Sequence, residues 1–365
     1  MKLTKEVVIA ALHHITLPNE DQNIIDSGAI KNIQLFGSDV ELDVEIKNPT
    51  LQYKKKVEVD CLKAIHDHAY EKSKVKVNLI INAPEKSNII KGNEIPGVKN
   101  IVAVSSGKGG VGKSTIAANL AVGLADLGYK VGVIDADIYG PSIAMMLGVP
   151  ENTRPQAVDE KYFKPVEAHG LLTMSMAYLV TDKTPMAWRG PMAAGALQQL
   201  LQQTAWGDLD VLVVDMPPGT GDIQLTLSQK AQVAGAIIVT TPQDIALLDA
   251  QKGIEMFLKV NVPVLGIVEN MAIHVCSNCG HQEHIFGENG GEQIAAEYGV
   301  PLLASLPLDR GIREQMDAGQ PTVMAQPNSP VTALYLQMAD KIRAVLAQEG
   351  DDGVRQFPNI QISDD

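Results

Sequence analysis

The chain has 365 residues, 43 acidic against 30 basic side chains for a formal charge of −13, and 45% hydrophobic content. That balance excludes a disordered or collagen-like polymer, and a chain of this size buries roughly 70% of its unfolded surface, so folding needs no disulfide or metal. The negative balance also argues against broad electrostatic capture of nucleic acid or anionic lipid, and neither is expected as a partner.

In chain order, residues 5 to 15 predict a short amphipathic helix, Ile30 to Phe36 and Val40 to Ile46 two alternating strands, Val57 to Lys72 a helix, and Val75 to Ile81 a strand. Together they predict a small α+β domain over residues 1–82. The apolar run before His13 and His14 is too short for a secretory signal. Cys61, among Val57, Leu62 and Ile65, reads as a buried structural thiol. Lys54 to Lys56 read as a solvated turn or helix start, and His13, His14, His66 and His68 as surface residues. A polar stretch with two prolines and two glycines, residues 83–99, reads as a linker.

From residue 100 the apolar runs 101–104, 131–134, 211–214, 236–240, 264–268 and 302–306 alternate with helical patterns. Runs apolar on both faces predict an α/β domain, a doubly wound and mostly parallel sheet over residues 100–350, with ligands at the strand C-termini. The uncharged stretch Gly190 to Gly207 carries four glutamines and does not read as a membrane span. Ser329 and Pro330 start a final helix that should stop before Gly350, leaving an acidic flexible tail over 351–365. Three cysteines fit a reducing compartment, so a cytoplasmic location is expected.

The first apolar run leads into Ser106-Gly107-Lys108-Gly109-Gly110-Val111-Gly112-Lys113-Ser114-Thr115, a phosphate-loop pattern followed by a helix. Its glycines let backbone N–H groups converge on phosphate, Lys113 can reach the β/γ phosphates, and the Ser114 hydroxyl can bind magnesium. Two further strands end in Asp135-Ala136-Asp137 and in Asp215-Met216-Pro217-Pro218-Gly219-Thr220-Gly221-Asp222. Carboxylates at such positions can hold magnesium through water and orient an attacking water. Asp135 and Asp215 are the candidates for the metal shell, with helix capping or a turn role as the alternative for each.

Lys108 adds a second lysine to the loop, and the pattern resembles the deviant Walker A loop of the SIMIBI-class ATPases. That resemblance implies that Lys108 reaches the phosphates of a partner subunit in a nucleotide-sandwich dimer. It also implies that Asp137 is the switch aspartate that positions the attacking water, and that Asn270 reads adenine, although a bare asparagine there could equally serve a turn.

Cys276 and Cys279 form a CxxC pair near His274, His281 and His284. Two thiolates are half of the four ligands that a zinc ion or an iron-sulfur cluster takes. Three completions compete: a zinc knuckle using two of the histidines, a redox dithiol, and a two-fold dimer in which two copies share one site. The redox completion is the weakest, because Gly280 and the histidines suggest a loop rather than a helix start.

Taken with GKGGVGKST, DADIYGPS, the WRGPM segment around Arg189, and DMPPGTGD, the CSNCG pair makes residues 98 to about 345 resemble the Mrp/ApbC-type iron-sulfur cluster carriers. The resemblance implies an ATP- and magnesium-dependent homodimer that hydrolyses ATP slowly. It further implies that Cys276 and Cys279 of each subunit bridge a labile 4Fe-4S cluster, received from an assembly scaffold and handed to apoproteins. A Min- or Par-like spatial-organisation ATPase and a zinc-stabilised ATPase without a cluster are the alternatives.

Residues 1 to about 82 more loosely resemble the iron-sulfur assembly domain often fused ahead of such ATPases. They lack its Asp-Pro-Glu signature, having Leu17-Pro18-Asn19-Glu20, and no cysteine accompanies Asn48-Pro49-Thr50. Met145, Met146, Met174 and Met176 are expected either to cover a groove for client proteins or to pack in the core.

Overall fold

The computed structural model describes residues 3–17, 22–46, 51–70, 73–81, 92–138, 140–159, 161–178, 190–276 and 278–352. Pro18 to Glu20, Asn48 to Thr50, most of the expected linker, Trp188 and Arg189, and the tail beyond residue 352 lie outside these residues. The chain divides into two compact units, residues 1–89 and 90–365.

The first unit contains α1 (Lys5–Leu12), β1 (Ile30–Phe36), β2 (Asp39–Ile46), α2 (Leu51–His68) and β3 (Val75–Ile81), with strand order β1-β2-β3. Alternate residues Val40, Leu42, Val44 and Ile46 of β2 are buried, as a strand with a single core-facing side requires. They meet a stripe of α2 formed by Tyr53, Val57, Cys61, Ala64 and Ile65. Tyr53 continues that stripe one turn before Val57. The helix therefore starts at Leu51, earlier than expected, and takes Lys55 and Lys56 onto its exposed face. His13, His14 and His68 are exposed, whereas His66 is half-buried, with Nε2 2.9 Å from the Ser73 carbonyl.

Cys61 is fully buried, and burial, followed by the charges of Asp60 and Glu58, pushes its thiol up to about 12. Thiolate is the reactive form. Of the three cysteines, Cys276 and Cys279 are accessible, so a disulfide reagent at pH 8 is expected to react quickly with two thiols in the reduced native chain. The third should react after denaturation, as a time-resolved thiol count would register.

The second unit adds β4 (Val98–Ser106), α3 (Lys113–Asp126), β5 (Val131–Asp135), α4 (Ile143–Met146), β6 (Val166–Ala168), β7 (Leu171–Ser175), α5 (Gly190–Gln202), β8 (Leu209–Asp215) and α6 (Asp222–Lys230). There follow β9 (Val233–Thr240), α7 (Asp244–Lys259), β10 (Val264–Val275), β11 (Gln282–Glu283), α8 (Gly290–Tyr298), β12 (Leu302–Leu308), α9 (Arg310–Asp317), α10 (Thr322–Ala325) and α11 (Pro330–Asp352). Among the described residues the sheet order is β11-β10-β9-β4-β8-β5-β7-β6, with β12 also paired to β10. Its pairings are parallel except β6 with β7 and β10 with β11.

Helices cover both faces. On β4, Ile101 and Ala103 belong to the core shared with α5, α6 and α7, while Val102 and Val104 belong to the core shared with α3 and α11. Successive side chains of a strand point to opposite faces, which is why these runs are apolar throughout. Ile116, Leu120 and Leu124 of α3 are wholly buried, each contributing about 1.5–3 kcal/mol of apolar transfer. The expected doubly wound, mostly parallel sheet is the observed one.

Several expected boundaries move. β10 continues seven residues past Val268, to Val275, because β12 and β11 pair with its extension. α11 is capped by the Ser329 hydroxyl, which accepts from the Thr332 N–H at 3.1 Å. It runs through Gly350 to Asp352, since one glycine costs a helix only about 1 kcal/mol. Met174 and Met176 are core residues, leaving Met145 as the exposed member of the methionine set. Among the described residues no helix is long and apolar enough to cross a membrane.

Candidate functional site

Sheet register assembles the first site. Val104 lies opposite Asp215 and Asp135 opposite the same Asp215, so two carboxylates stand side by side where β4 gives way to the loop leading into α3. Lys113, the first residue of that helix, is 6% exposed and reaches Asp215, 0% exposed, with Nζ 2.5 Å from Oδ1. The Ser114 hydroxyl is 3.3 Å from the same nitrogen. Burial pushes the Asp215 carboxyl up while Lys113 opposes the shift.

The two aspartates use their oxygens differently. Asp135 Oδ2 accepts from the Ser142 and Ile143 N–H groups at 2.9 and 3.0 Å and from the Ser175 hydroxyl at 3.3 Å. Its Oδ1 accepts from the Asp137 N–H at 3.2 Å. Asp135 thus organises the turn that carries Asp137 and starts α4. Burial and the neighbouring Asp215 charge push its carboxyl up to about 7. Asp215 Oδ2, by contrast, is buried and has no hydrogen-bond partner among the described residues. A buried, orphaned carboxylate oxygen beside a hydroxyl is a donor set suited to a hard divalent cation.

Two loop glycines are sterically required. A Cβ on Gly107 would lie 2.2 Å from the backbone of Asp249, and one on Gly112, at φ +86°, would lie 2.2 Å from Asn270 Nδ2. Asn270 is buried and donates from Nδ2 to the Val111 carbonyl at 2.9 Å. Lys108, Gly109 and Gly110 are exposed, and Lys108 has no ion-pair partner among the described residues.

Gln224, on α6, escaped the sequence reading. It is buried, accepts from the Gly221 N–H at 3.0 Å, and donates to the Pro217 and Gly219 carbonyls at 2.8 and 2.9 Å. The loop after Asp215 is thereby closed on itself, and the Gly219 N–H ties it to the Ser106 carbonyl at 2.8 Å. A glutamine three residues after a helix-capping position was the available signal. Gln224→Leu leaves these backbone groups unpaired, and a loss of about 1–3 kcal/mol is expected in urea unfolding.

The second site is the hairpin between β10 and β11. His274 pairs with Glu283 and Val275 with Gln282. The turn between them is closed by Cys276 N–H to the His281 carbonyl and Gly280 N–H to the Cys276 carbonyl, both 2.8 Å. The backbone N–H groups of Asn278 and Cys279, and then the Cys279 thiol, hold the Cys276 thiol below its usual range by favouring the thiolate. The pair sits in a turn and does not open a helix. His274 Nδ1 lies 3.3 Å from the Leu308 carbonyl and His284 Nδ1 2.9 Å from the Ala272 carbonyl. Among the described residues, no three His, Cys, Asp or Glu side chains gather as a metal cage.

Comparison with known proteins adds to this geometry. The family model described as NUBPL iron-transfer P-loop NTPase matches residues 97–343, and that described as iron-sulfur cluster assembly protein matches residues 5–79. An iron-sulfur cluster carrier protein of Pseudomonas fragi is 64% identical over 270 residues, covering 73% of this chain and 92% of that one. A protein of the same name from Helicobacter pylori is 40% identical over 362 residues, covering 98% and 97%. Among solved structures, a nucleotide-binding protein from Archaeoglobus fulgidus in complex with ADP is 36% identical with a TM-score of 0.58, covering 68% of this chain and 96% of that one. The cell division ATPase MinD of Pyrococcus furiosus, 24% identical with a TM-score of 0.51 and covering 67% and 99%, shares the fold.

Proposed function

Since this chain belongs to the NUBPL iron-transfer P-loop NTPase family, we propose that it is a cytoplasmic ATP-hydrolysing carrier of iron-sulfur clusters. Two docked copies hold a 4Fe-4S cluster on Cys276 and Cys279 of each and release it to apoproteins. The observation that carries the reading is the hairpin. It presents two accessible sulfurs, one of them held toward the thiolate by backbone N–H groups, with no third donor gathered beside them among the described residues. A two-fold axis turns two thiolates into the four that a cluster takes.

At the other site, the backbone N–H groups of residues 107–115 cradle the ATP phosphates at the N-terminus of α3. Lys113 neutralises phosphate charge, and its pairing with Asp215 keeps it in place. Magnesium fits the Ser114 hydroxyl and the orphaned Asp215 oxygen; when bound, it supplies charge neutralisation on the transferred phosphoryl group. Asp135 holds the turn that aims Asp137 at the attacking water. Lys108, exposed on the loop, completes the partner's phosphate site. Hydrolysis is slow because that constellation is complete only in the docked pair.

Anaerobically reconstituted protein is expected to sediment as a dimer with one cluster per two chains, and to activate an apo-enzyme that requires a 4Fe-4S cluster. A monomer holding iron alone, or a dimer holding one zinc per chain and no sulfide, refutes the reading.

A further inference from the structure

One strand joins the two sites. β10 carries Asn270 and ends at Val275, directly before Cys276. The Asn270 amide donates to the Val111 carbonyl at 2.9 Å and fills the space where Gly112 would carry a Cβ, 2.2 Å away. Residues 111 and 112 of the phosphate loop therefore press directly on this side chain.

The next residue is the weak point of the strand. Met271 has φ +57°, in the left-handed region that a bulky side chain occupies only when its surroundings impose it. The register with β12 slips here: Glu269 faces Ser305, but Ile273 faces Pro307. Both flanks of this bulge are anchored. Before it, buried Glu269 accepts the Gly291 N–H at 2.7 Å. After it, His274 and Val275 are paired into the thiolate hairpin, and His284 holds the Ala272 carbonyl. Residues 270–272 are the segment through which a shift of the loop can pass to the cysteines.

We propose that Asn270 is a positioning residue that transmits the state of the phosphate loop, through the Met271 bulge, to the Cys276–Cys279 hairpin. Filling the loop with phosphate redirects the Val111 carbonyl, changes the tether to Asn270, and alters the presentation of the thiols within one chain. The proposal rests on the reading that this hairpin holds the cluster. By linkage, nucleotide and cluster must then alter each other's affinity by the same factor.

The test measures the iodoacetamide alkylation rates of Cys276 and Cys279 by mass spectrometry at fixed pH, in the reduced full-length chain. Rates are compared without nucleotide and with magnesium and a non-hydrolysable ATP analogue. In the wild type the nucleotide should change the rate about fivefold or more. In Asn270→Ala and Asn270→Asp, each held at analogue concentrations that saturate it, the ratio should fall to about one. A full nucleotide response in both variants overturns the proposal, as does its absence from the wild type. Hydrogen exchange on the wild type gives an independent readout should the variants not fold. Nucleotide must change protection beyond the loop, in residues 271–276 and 278–283, and a change confined to the loop overturns the coupling. Wild-type protein that takes up no iron and sulfide refutes the carrier reading itself, whereas normal uptake with undiminished coupling in the variants refutes Asn270 alone.

Discussion

Replacing Cys276 with alanine is expected to lower the iron and sulfide retained after anaerobic reconstitution at least tenfold, to the background of a protein without a cluster. Loss of a supporting group around a metal typically costs about 10–100-fold in affinity, and under the proposed carrier function the lost group is itself a sulfur ligand. In a two-fold pair each substitution counts twice, so a four-sulfur site becomes a two-sulfur site. The turn's N–H groups that favour the Cys276 thiolate would then face a methyl group. Cys279→Ala should behave alike, while Cys61→Ala, in the buried stripe of α2, should leave cluster content unchanged. Absorbance together with iron and sulfide counts decides the matter: equal content in wild type and Cys276→Ala would remove the hairpin from the function.

Lys113→Ala should lower ATP hydrolysis by about 10²–10³-fold, the scale for losing one preorganised charge-stabilising donor, and should also destabilise the fold. The reason is the pair's burial. With Lys113 gone, the Asp215 carboxylate at 0% exposure loses its counter-charge, a change that costs about 3–5 kcal/mol when such a pair is broken from one side. Proton uptake by Asp215, already favoured by burial, would offset part of that cost and make the loss larger at alkaline than at acidic pH. The double variant Lys113→Ala/Asp215→Asn removes the stranded charge, so stability should recover while hydrolysis stays lost. Denaturant midpoints and phosphate release separate the two effects. Recovery of hydrolysis in the double variant would show that Lys113 acts on the fold alone.

The phosphate loop and the thiol pair were legible because each is a local pattern. The loop needs glycines, Lys113 and Ser114 at fixed spacing between a strand and a helix, and CxxC needs two residues between its thiols. The parallel sheet was legible for the same reason, through runs such as Val211 to Val214 that are apolar on both faces. Local pattern also misled. Gly350 resembles a helix end, yet α11 runs through it to Asp352, while for Met174 and Met176 the pattern left groove and core both open and packing chose the core.

What the amino-acid order determined by itself was the inventory: a phosphate-binding loop, carboxylates at strand ends, and two sulfurs beyond a fifth apolar run. Tertiary structure alone decided how those groups are spent. Strand register sets Asp135 beside Asp215 and gives the first to backbone N–H groups while leaving an oxygen of the second without a partner among the described residues. Folding also brings Asn270 against Val111, residues 159 positions apart. Hydrogen bonds between segments so distant depend on sheet order and on the offset of a single bulge, and these are settled by packing over the whole domain rather than by the residues on either side.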